Sequence, residues 1–241
     1  MKLKHRLRQF LFGKNSEVSK NTPENHPMLR IKKLMAHHQI NVVLDIGANA
    51  GQFAETLRKE LGYAHKIISF EPLSTAFALL QKNAKADPLW DVFNFALGDQ
   101  EQDSTLNIAG NSYSSSLLAM LPAHSDAAPE SVYAGTETIK IKKLDTLFNS
   151  LCPSGAKVFI KIDTQGFEEN VLKGAAGSLP KIDLIQMEMS LTPLYQGEKL
   201  FDELHLLMKN KGFRLVDILP GFSDPVTGQL LQADGVFQRC P

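Results

Sequence analysis

Short apolar segments recur along the chain with room for about one helix between them, and this alternation limits the fold more than any other feature. Asn41–Ile46 (NVVLDI), Lys66–Phe70 (KIISF), Asp91–Ala96 (DVFNFA), Val158–Ile162 (VFIKI) and Leu184–Met189 (LIQMEM) read as buried strands. Gly51–Leu61, Ser74–Ala86, Phe167–Lys173 and Leu200–Lys211 read as helices, and Met28–Gln39 supplies a further helix ahead of the first strand. Alternation of this kind implies an α/β fold in which a mostly parallel sheet is covered on both faces. Phe213–Ile218 and Ala233–Arg239 close the chain as two strands joined by a Gly/Pro-rich loop. With no helix between them, the last strand is expected to run antiparallel.

One stretch interrupts the pattern. Thr105–Ile108 and Thr138–Lys142 alternate apolar and polar residues, as a half-exposed hairpin does. Between them, Asn111–Ala134 is rich in Ser, Ala and Pro. The whole of 104–142 reads as an insertion on the sheet edge, carrying a mobile loop of the sort that often acts as a lid. Residues 1–27 read as a tail and linker, and 28–241 as one domain. The tail alternates basic and apolar residues from Lys2 to Phe12. It is expected to be solvated or loosely docked, with a peripheral contact between a short basic amphipathic helix and a membrane surface as the alternative.

Composition narrows the function classes. Lys+Arg and Asp+Glu balance at 26 each, so the chain is not a strongly basic nucleic-acid binder, and no nucleic-acid partner is expected. No apolar run approaches the ~20 residues that span a bilayer. Cys152 and Cys240 form neither a metal motif nor a disulfide framework, and read as free thiols in a reducing cytoplasm. His37, His38, His65, His124 and His205 show no metal spacing, and His124 reads as a solvated loop histidine, with reach into the site when its loop closes as the alternative.

Chemistry concentrates where predicted strands end. The first runs into Asp45-Ile46-Gly47-Ala48-Asn49-Ala50-Gly51-Gln52-Phe53, a strand–glycine–helix turn in which Gly47 and Gly51 let backbone approach a ligand. The spacing is not that of a pyrophosphate-binding G-x-G-x-x-G turn, and Asp45 would repel phosphate while suiting a cationic ligand. Glu71, in Phe70-Glu71-Pro72, lies 20 residues after Gly51, where a carboxylate can accept both hydroxyls of a ribose. The third strand runs into Ala96-Leu97-Gly98-Asp99, near the same crevice, with Leu97 placed to pack on a base and Asp99 to accept from its amino group. The fourth ends in Lys161-Ile162-Asp163-Thr164-Gln165-Gly166-Phe167-Glu168. Asp163 and Glu168 are general-base candidates there, although both also suit a helix N-terminus. Glu188, inside an apolar strand, wants a partner: a substrate, a divalent metal shared with Asp163, or Lys161.

Taken in order, D-I-G-A-N-A-G-Q-F, F-E-P, A-L-G-D, K-I-D-T-Q-G-F-E, V-L-K-G-A (Val171–Ala175) and M-E-M-S (Met187–Ser190) resemble the FkbM-type methyltransferases, over roughly Met28 to Arg239. The resemblance implies a Rossmann-like class I methyltransferase fold with a seven-stranded, mostly parallel sheet whose last strand is antiparallel. It implies S-adenosyl-L-methionine as methyl donor and O-methylation of a hydroxyl on a sugar, a polysaccharide precursor or a natural product. By that likeness Asp45, Gly47, Asn49, Gly51 and Glu71 hold the donor, with Leu97 and Asp99 near adenine. Ala48, Phe53, Pro72, Ala96, Gly98 and Asp163 belong to the same cofactor-binding motifs, and Asp163, Glu168 and Glu188 are the catalytic candidates. The family commonly has Glu where this chain has Gln165. Two other readings remain: a nicotinamide oxidoreductase, disfavoured by the missing third glycine, and a non-catalytic module on the same fold.

Overall fold

The computed structural model describes residues 26–240. The expectations for the basic tail fall outside them. A seven-stranded sheet forms the centre: β1 (Val42–Ile46), β2 (Lys66–Phe70), β3 (Trp90–Phe93), β7 (Val158–Ile162), β8 (Leu184–Ser190), β9 (Phe213–Pro220) and β10 (Gln232–Arg239). Its spatial order is β3-β2-β1-β7-β8-β10-β9. The strands are parallel except β10, which pairs antiparallel with both β8 and β9. This is the α/β, Rossmann-like methyltransferase architecture. The chain winds outward from β1 through β2 to β3, then returns to β7 on the other side of β1. A crevice therefore opens between the carboxyl ends of β1 and β7, where open α/β sheets bind ligands.

Period-two alternation sends the residues of β1 to opposite faces. Val43 packs with Ile31 and Met35 of α1 (Pro27–His37), Ala54 and Leu57 of α2 (Gln52–Lys59), and Leu80 and Ala84 of α3 (Ser74–Ala84). Val42, Leu44 and Ile46 pack with Leu144 and Phe148 of α5 (Leu144–Leu151), Val171 and Leu172 of α6 (Glu168–Gly174), and Leu204 and Met208 of α7 (Phe201–Asn210). All five residues of β1 are buried, Asp45 included. Among the described residues no helix is long and apolar enough to cross a membrane.

The structure corrects three local expectations. The third strand does not run unbroken from Asp91 to Ala96. It leaves the main sheet after Phe93, because the Asn94 amide turns back to donate to the carbonyls of Glu71 and Pro72, each at 2.9 Å. Ala96–Leu97 is a separate short strand, β4, pairing with β6 (Tyr133–Lys142) in a second sheet of order β4-β6-β5, where β5 is Gln102–Ala109. Thus the expected hairpin exists, with Thr105 opposite Thr138, but it is three-stranded. The stretch 111–134, read as a mobile loop, contains α4 (Pro122–Ala127) and a 3-10 turn at Pro129–Ser131. Its apolar residues Leu118, Met120, Ala123 and Ala127 pack around buried Leu194, Tyr195 and Leu231, contacts invisible to local periodicity. Finally, α5 was not read from the sequence, although Leu144, Leu147, Phe148 and Leu151 have helical spacing.

Candidate active site

The carboxyl ends of β2, β1, β7 and β8 floor a cavity of about 900 Å³, lined by Asp45, Glu71, Asp163 and Glu188 among others. The insertion and the β9–β10 loop wall it in, through Ser112–Ser115, His124 and Phe222.

Asp45 sits on β1 directly between Ser69 of β2 and Lys161 of β7. The Trp90 indole donates to Ser69 Oγ at 2.9 Å, and Ser69 Oγ donates to Asp45 Oδ2 at 3.1 Å, so the carboxylate is fixed from below. Burial pushes the Asp45 carboxyl up to about 6 against the pull of Lys161 and the Ser69 hydrogen bond. After Ile46 the chain turns tightly. The amides of Gly47 and Ala48 both donate to the Phe70 carbonyl at 3.0 Å. Gly47 has φ of +79°, and a Cβ there would lie 1.9 Å from the Asp163 carbonyl oxygen. This glycine is required because two chain segments cross there. Asn49 follows with φ of 48°, a left-handed conformation that Asn tolerates better than most residues. Its amide is thereby delivered to Glu71.

Glu71 accepts from the Asn49 amide through Oε2 at 2.7 Å and from the Leu73 amide through Oε1 at 2.8 Å. These two bonds orient the carboxylate and use one lone pair on each oxygen, leaving the other for a ligand. Burial pushes it up to about 7, despite the lowering effect of Leu73 and Asn49. Phe70, Pro72, Ala96 and Leu97 give this end of the cavity an apolar wall, and Ala48 and Phe53 also line it.

At the other end, Gln165 is a hub. Its Nε2 donates to Asp163 Oδ1 at 2.9 Å and to Glu188 Oε2 at 2.5 Å, while its Oε1 accepts from the Tyr195 hydroxyl at 2.8 Å. The Gln232 amide adds a second donor to Glu188 Oε2 at 3.1 Å. Burial, then the neighbouring Asp163 and Asp234, hold the Glu188 carboxyl well above the usual carboxylate range. Lys161 Nζ stands 3.1 Å from Asp163 Oδ2. Burial works against the Lys161 charge, but Asp163, Asp234 and Glu188 outweigh it and hold the ammonium above the ordinary lysine value. The amide of Gln165 therefore stands between Asp163 and Glu188, where the sequence reading allowed a divalent ion. Among the described residues no group of three or more His, Cys, Asp or Glu side chains is arranged to hold a metal.

Several residues singled out from the sequence do not line the cavity. Gly51 has φ of +90°, and a Cβ there would strike Trp90 at 2.7 Å, so it serves helix–sheet packing. Gly98 lies against Ile141 and Phe167, and its carbonyl would be 1.8 Å from a Cβ on Gly174. Asp99 accepts from the Asn170 amide at 3.1 Å. Glu168 accepts from the Thr164 amide at 2.9 Å and from its hydroxyl at 3.0 Å, bonds that brace the turn between β7 and α6 rather than cap the helix. Burial pushes Glu168 up to about 7.

Conversely, His124 is buried rather than solvated, packed between Tyr195 and Phe222 with ring centroids 5.1 and 5.3 Å away. Burial lowers it to about 4, so it stays neutral at neutral pH. Tyr195, Gln232, Phe222 and the Ser112–Ser115 turn were not foreseen as site residues. Each lies in a segment with no motif, and only long-range packing brings Gln232, Phe222 and the Ser112–Ser115 turn to the cavity and Tyr195 to Gln165.

A family model described as the methyltransferase FkbM domain matches residues 45–215. No curated protein sequence matches the chain. Among solved structures, a methyltransferase FkbM from Methylobacillus flagellatus KT is 14% identical, with a TM-score of 0.47, over 81% of this chain and 43% of that one. An rRNA methylase from Streptococcus thermophilus is 7% identical, with a TM-score of 0.49, over 90% of this chain and 98% of that one. TehB from Haemophilus influenzae is 10% identical, with a TM-score of 0.46, over 91% and 64% respectively. The family match takes in the turn at Asp45, the Glu71 tip and the Asp163–Glu188 cluster, and on that ground the chain belongs to the FkbM methyltransferase domain family.

Proposed function

We propose that this methyltransferase uses S-adenosylmethionine to methylate a hydroxyl oxygen on a sugar, a polysaccharide precursor or a natural product. One observation carries the donor assignment: Asp45 and Glu71, from neighbouring strand tips, line a single cavity, with the Glu71 carboxylate oriented by two backbone amides. The residues present fit the donor. Glu71 has lone pairs left for ribose hydroxyls. Phe70, Ala96 and Leu97 offer an apolar wall for a flat base. Asp45 offers a negative charge to a cation, and the cavity volume suits a ligand of this size.

When bound, S-adenosylmethionine supplies a methyl group on a positively charged sulfur. The protein's own work is positioning and proton management. Glu71 holds the ribose, and Asp45 balances positive charge. Asp163 accepts the proton of the acceptor hydroxyl, and Glu188, oriented by Gln165 and Gln232, hydrogen-bonds the acceptor. The insertion excludes water. Its Tyr113 hydroxyl accepts from the Gln52 amide at 3.0 Å, and Ser112 Oγ accepts from the Asn49 amide at 3.3 Å. The carboxylates around this cavity favour an acceptor without phosphate groups and argue against a nucleic acid, whose backbone requires cations. The two free thiols, Cys152 and Cys240, suit a reducing cytoplasm.

The test is calorimetric titration with S-adenosylhomocysteine. We expect Glu71→Ala to lose about 1.5–3 kcal/mol of binding through its charge-assisted hydrogen bonds, or roughly ten- to a hundredfold in affinity. Equal affinity in the variant would remove Glu71 from the ribose site and leave the donor assignment without support.

A further inference from the structure

Five carboxylates among the described residues line the cavity, those of Asp45, Glu71, Glu130, Asp163 and Glu188. Among the described residues, Lys161 is the only lysine or arginine that does so. Its position is fixed by the sheet. Lys161 on β7 is the register partner of Asp45 on β1, so the two side chains leave the same face of adjacent parallel strands. Its ammonium lies 5.8 Å from the centroid of the Phe53 ring, and the side chain is only 11% exposed. An ammonium has three N–H donors, and among the described residues this one makes a single hydrogen bond, to Asp163. A cation held so far from water, with donors left over at a cavity floor, is poised for an anionic group that enters with a ligand.

Asp45 and Lys161 stand near the carboxyl ends of β1 and β7, and Glu71 directly follows β2, so the three come from three successive strands. The outer two are separated by two strand spacings, about 10 Å. A ligand laid across these tips meets an acid oriented for a diol, then a carboxylate, then an ammonium. The last two are complementary to the two charges of an α-amino acid.

We propose that Asp45 and Lys161 together form a receptor for an α-amino-acid zwitterion, with Lys161 binding the α-carboxylate at the methionine end of the donor. This rests on the donor reading above and adds a residue and a subsite to it. A purely structural Lys161, present only to neutralise Asp163, would be indifferent to whether a ligand carries a carboxylate.

That difference can be measured without knowing the acceptor. S-adenosylhomocysteine and 5′-methylthioadenosine share adenosine and sulfur, but only the former has the amino-acid end. Both are titrated into the wild type, Lys161→Met, and the double variant Lys161→Met/Asp163→Asn, which removes both halves of the ion pair and so avoids an uncompensated buried acid. We expect S-adenosylhomocysteine to weaken about 10- to 100-fold in both variants, with 5′-methylthioadenosine unchanged and thereby reporting an intact fold. Equal weakening of the two ligands, or of neither, overturns the carboxylate assignment while leaving the donor reading in place. A wild type that binds neither ligand overturns the donor reading, and this subsite with it.

Discussion

At one end of the cavity, Asp45, Asn49 and Glu71 come from two adjacent strand tips within 27 residues of chain, and backbone amides do most of the orienting. At the other end, Gln165 joins Asp163, Glu188 and Tyr195, while Gln232 reaches Glu188 from the last strand, 44 residues away. There the orienting is done by side chains. A backbone amide survives substitution of its own side chain, so the first end tolerates change around it. A side-chain network fails when any member loses its partner. The end proposed for the donor is thus built from backbone chemistry, and the end proposed for the acceptor from parts that sequence change can re-specify.

Three measurements bear on this contrast, beginning with the largest effect. Asp163→Asn should lower methyl-transfer turnover by about 10²–10⁴-fold, the usual size of a lost general base. Affinity for S-adenosylhomocysteine should change far less. If turnover is kept, Asp163 is not the proton acceptor, and the division between donor and acceptor ends must be redrawn.

Gly47→Ala attacks the point where the two ends touch. The added Cβ would lie 1.9 Å from the Asp163 carbonyl oxygen, at a φ of +79°. Overpacking and backbone strain together should cost about 3 kcal/mol or more. Chemical denaturation reads this directly, and a loss under about 1 kcal/mol would mean that the crossing is soft and the ends move independently.

The smallest effect is a pH dependence. Glu71 and Glu168 are both raised from 4.5 to about 7 by burial. A group whose folded pKa lies above its unfolded one stabilises the fold below the unfolded value, and that stability is lost as pH rises through the folded value. Asp45, raised from 3.8 to about 6, acts in the same direction at slightly lower pH. His124, lowered from 6.5 to about 4, works the opposite way, but only below its unfolded value. Melting temperature of the ligand-free protein should therefore fall as pH rises from about 4.5 to 7, with His124 offsetting part of the fall below about 6.5, and level off by about pH 8. Affinity for S-adenosylhomocysteine should rise between about pH 6 and 8, as folded Glu71 ionises and can accept from ribose hydroxyls. A flat binding profile would place that ionisation elsewhere and remove the donor end's electrostatic distinction.

The strands and helices of the main sheet other than the end of β3 and the helix α5, the antiparallel last strand and the acids at strand ends were legible in the sequence, because each depends on residues close together along the chain. Asp45 and Glu71 could be paired from spacing alone, since consecutive strands of a βαβ unit place their tips side by side. Spacing could not tell that Gly47 serves a chain crossing while Gly51 makes room for Trp90, because the colliding atoms belong to Asp163 and Trp90. Nor could it separate Glu168, which closes on Thr164, from Glu188, which faces the cavity: both are acids near strand ends, and only the direction of the side chain divides them. The burial of His124 and the hub at Gln165 were likewise decided in three dimensions. Their partners Tyr195 and Phe222 are 30 or more residues distant, and no periodicity carries information over that separation. Local chemistry set most of the elements and the acids at the tips of β1 and β2. The Gln165 end of the cavity arose only when the folded chain brought the insertion and the β9–β10 loop over the same crevice, since burial and hydrogen-bond partnership belong to the assembled fold.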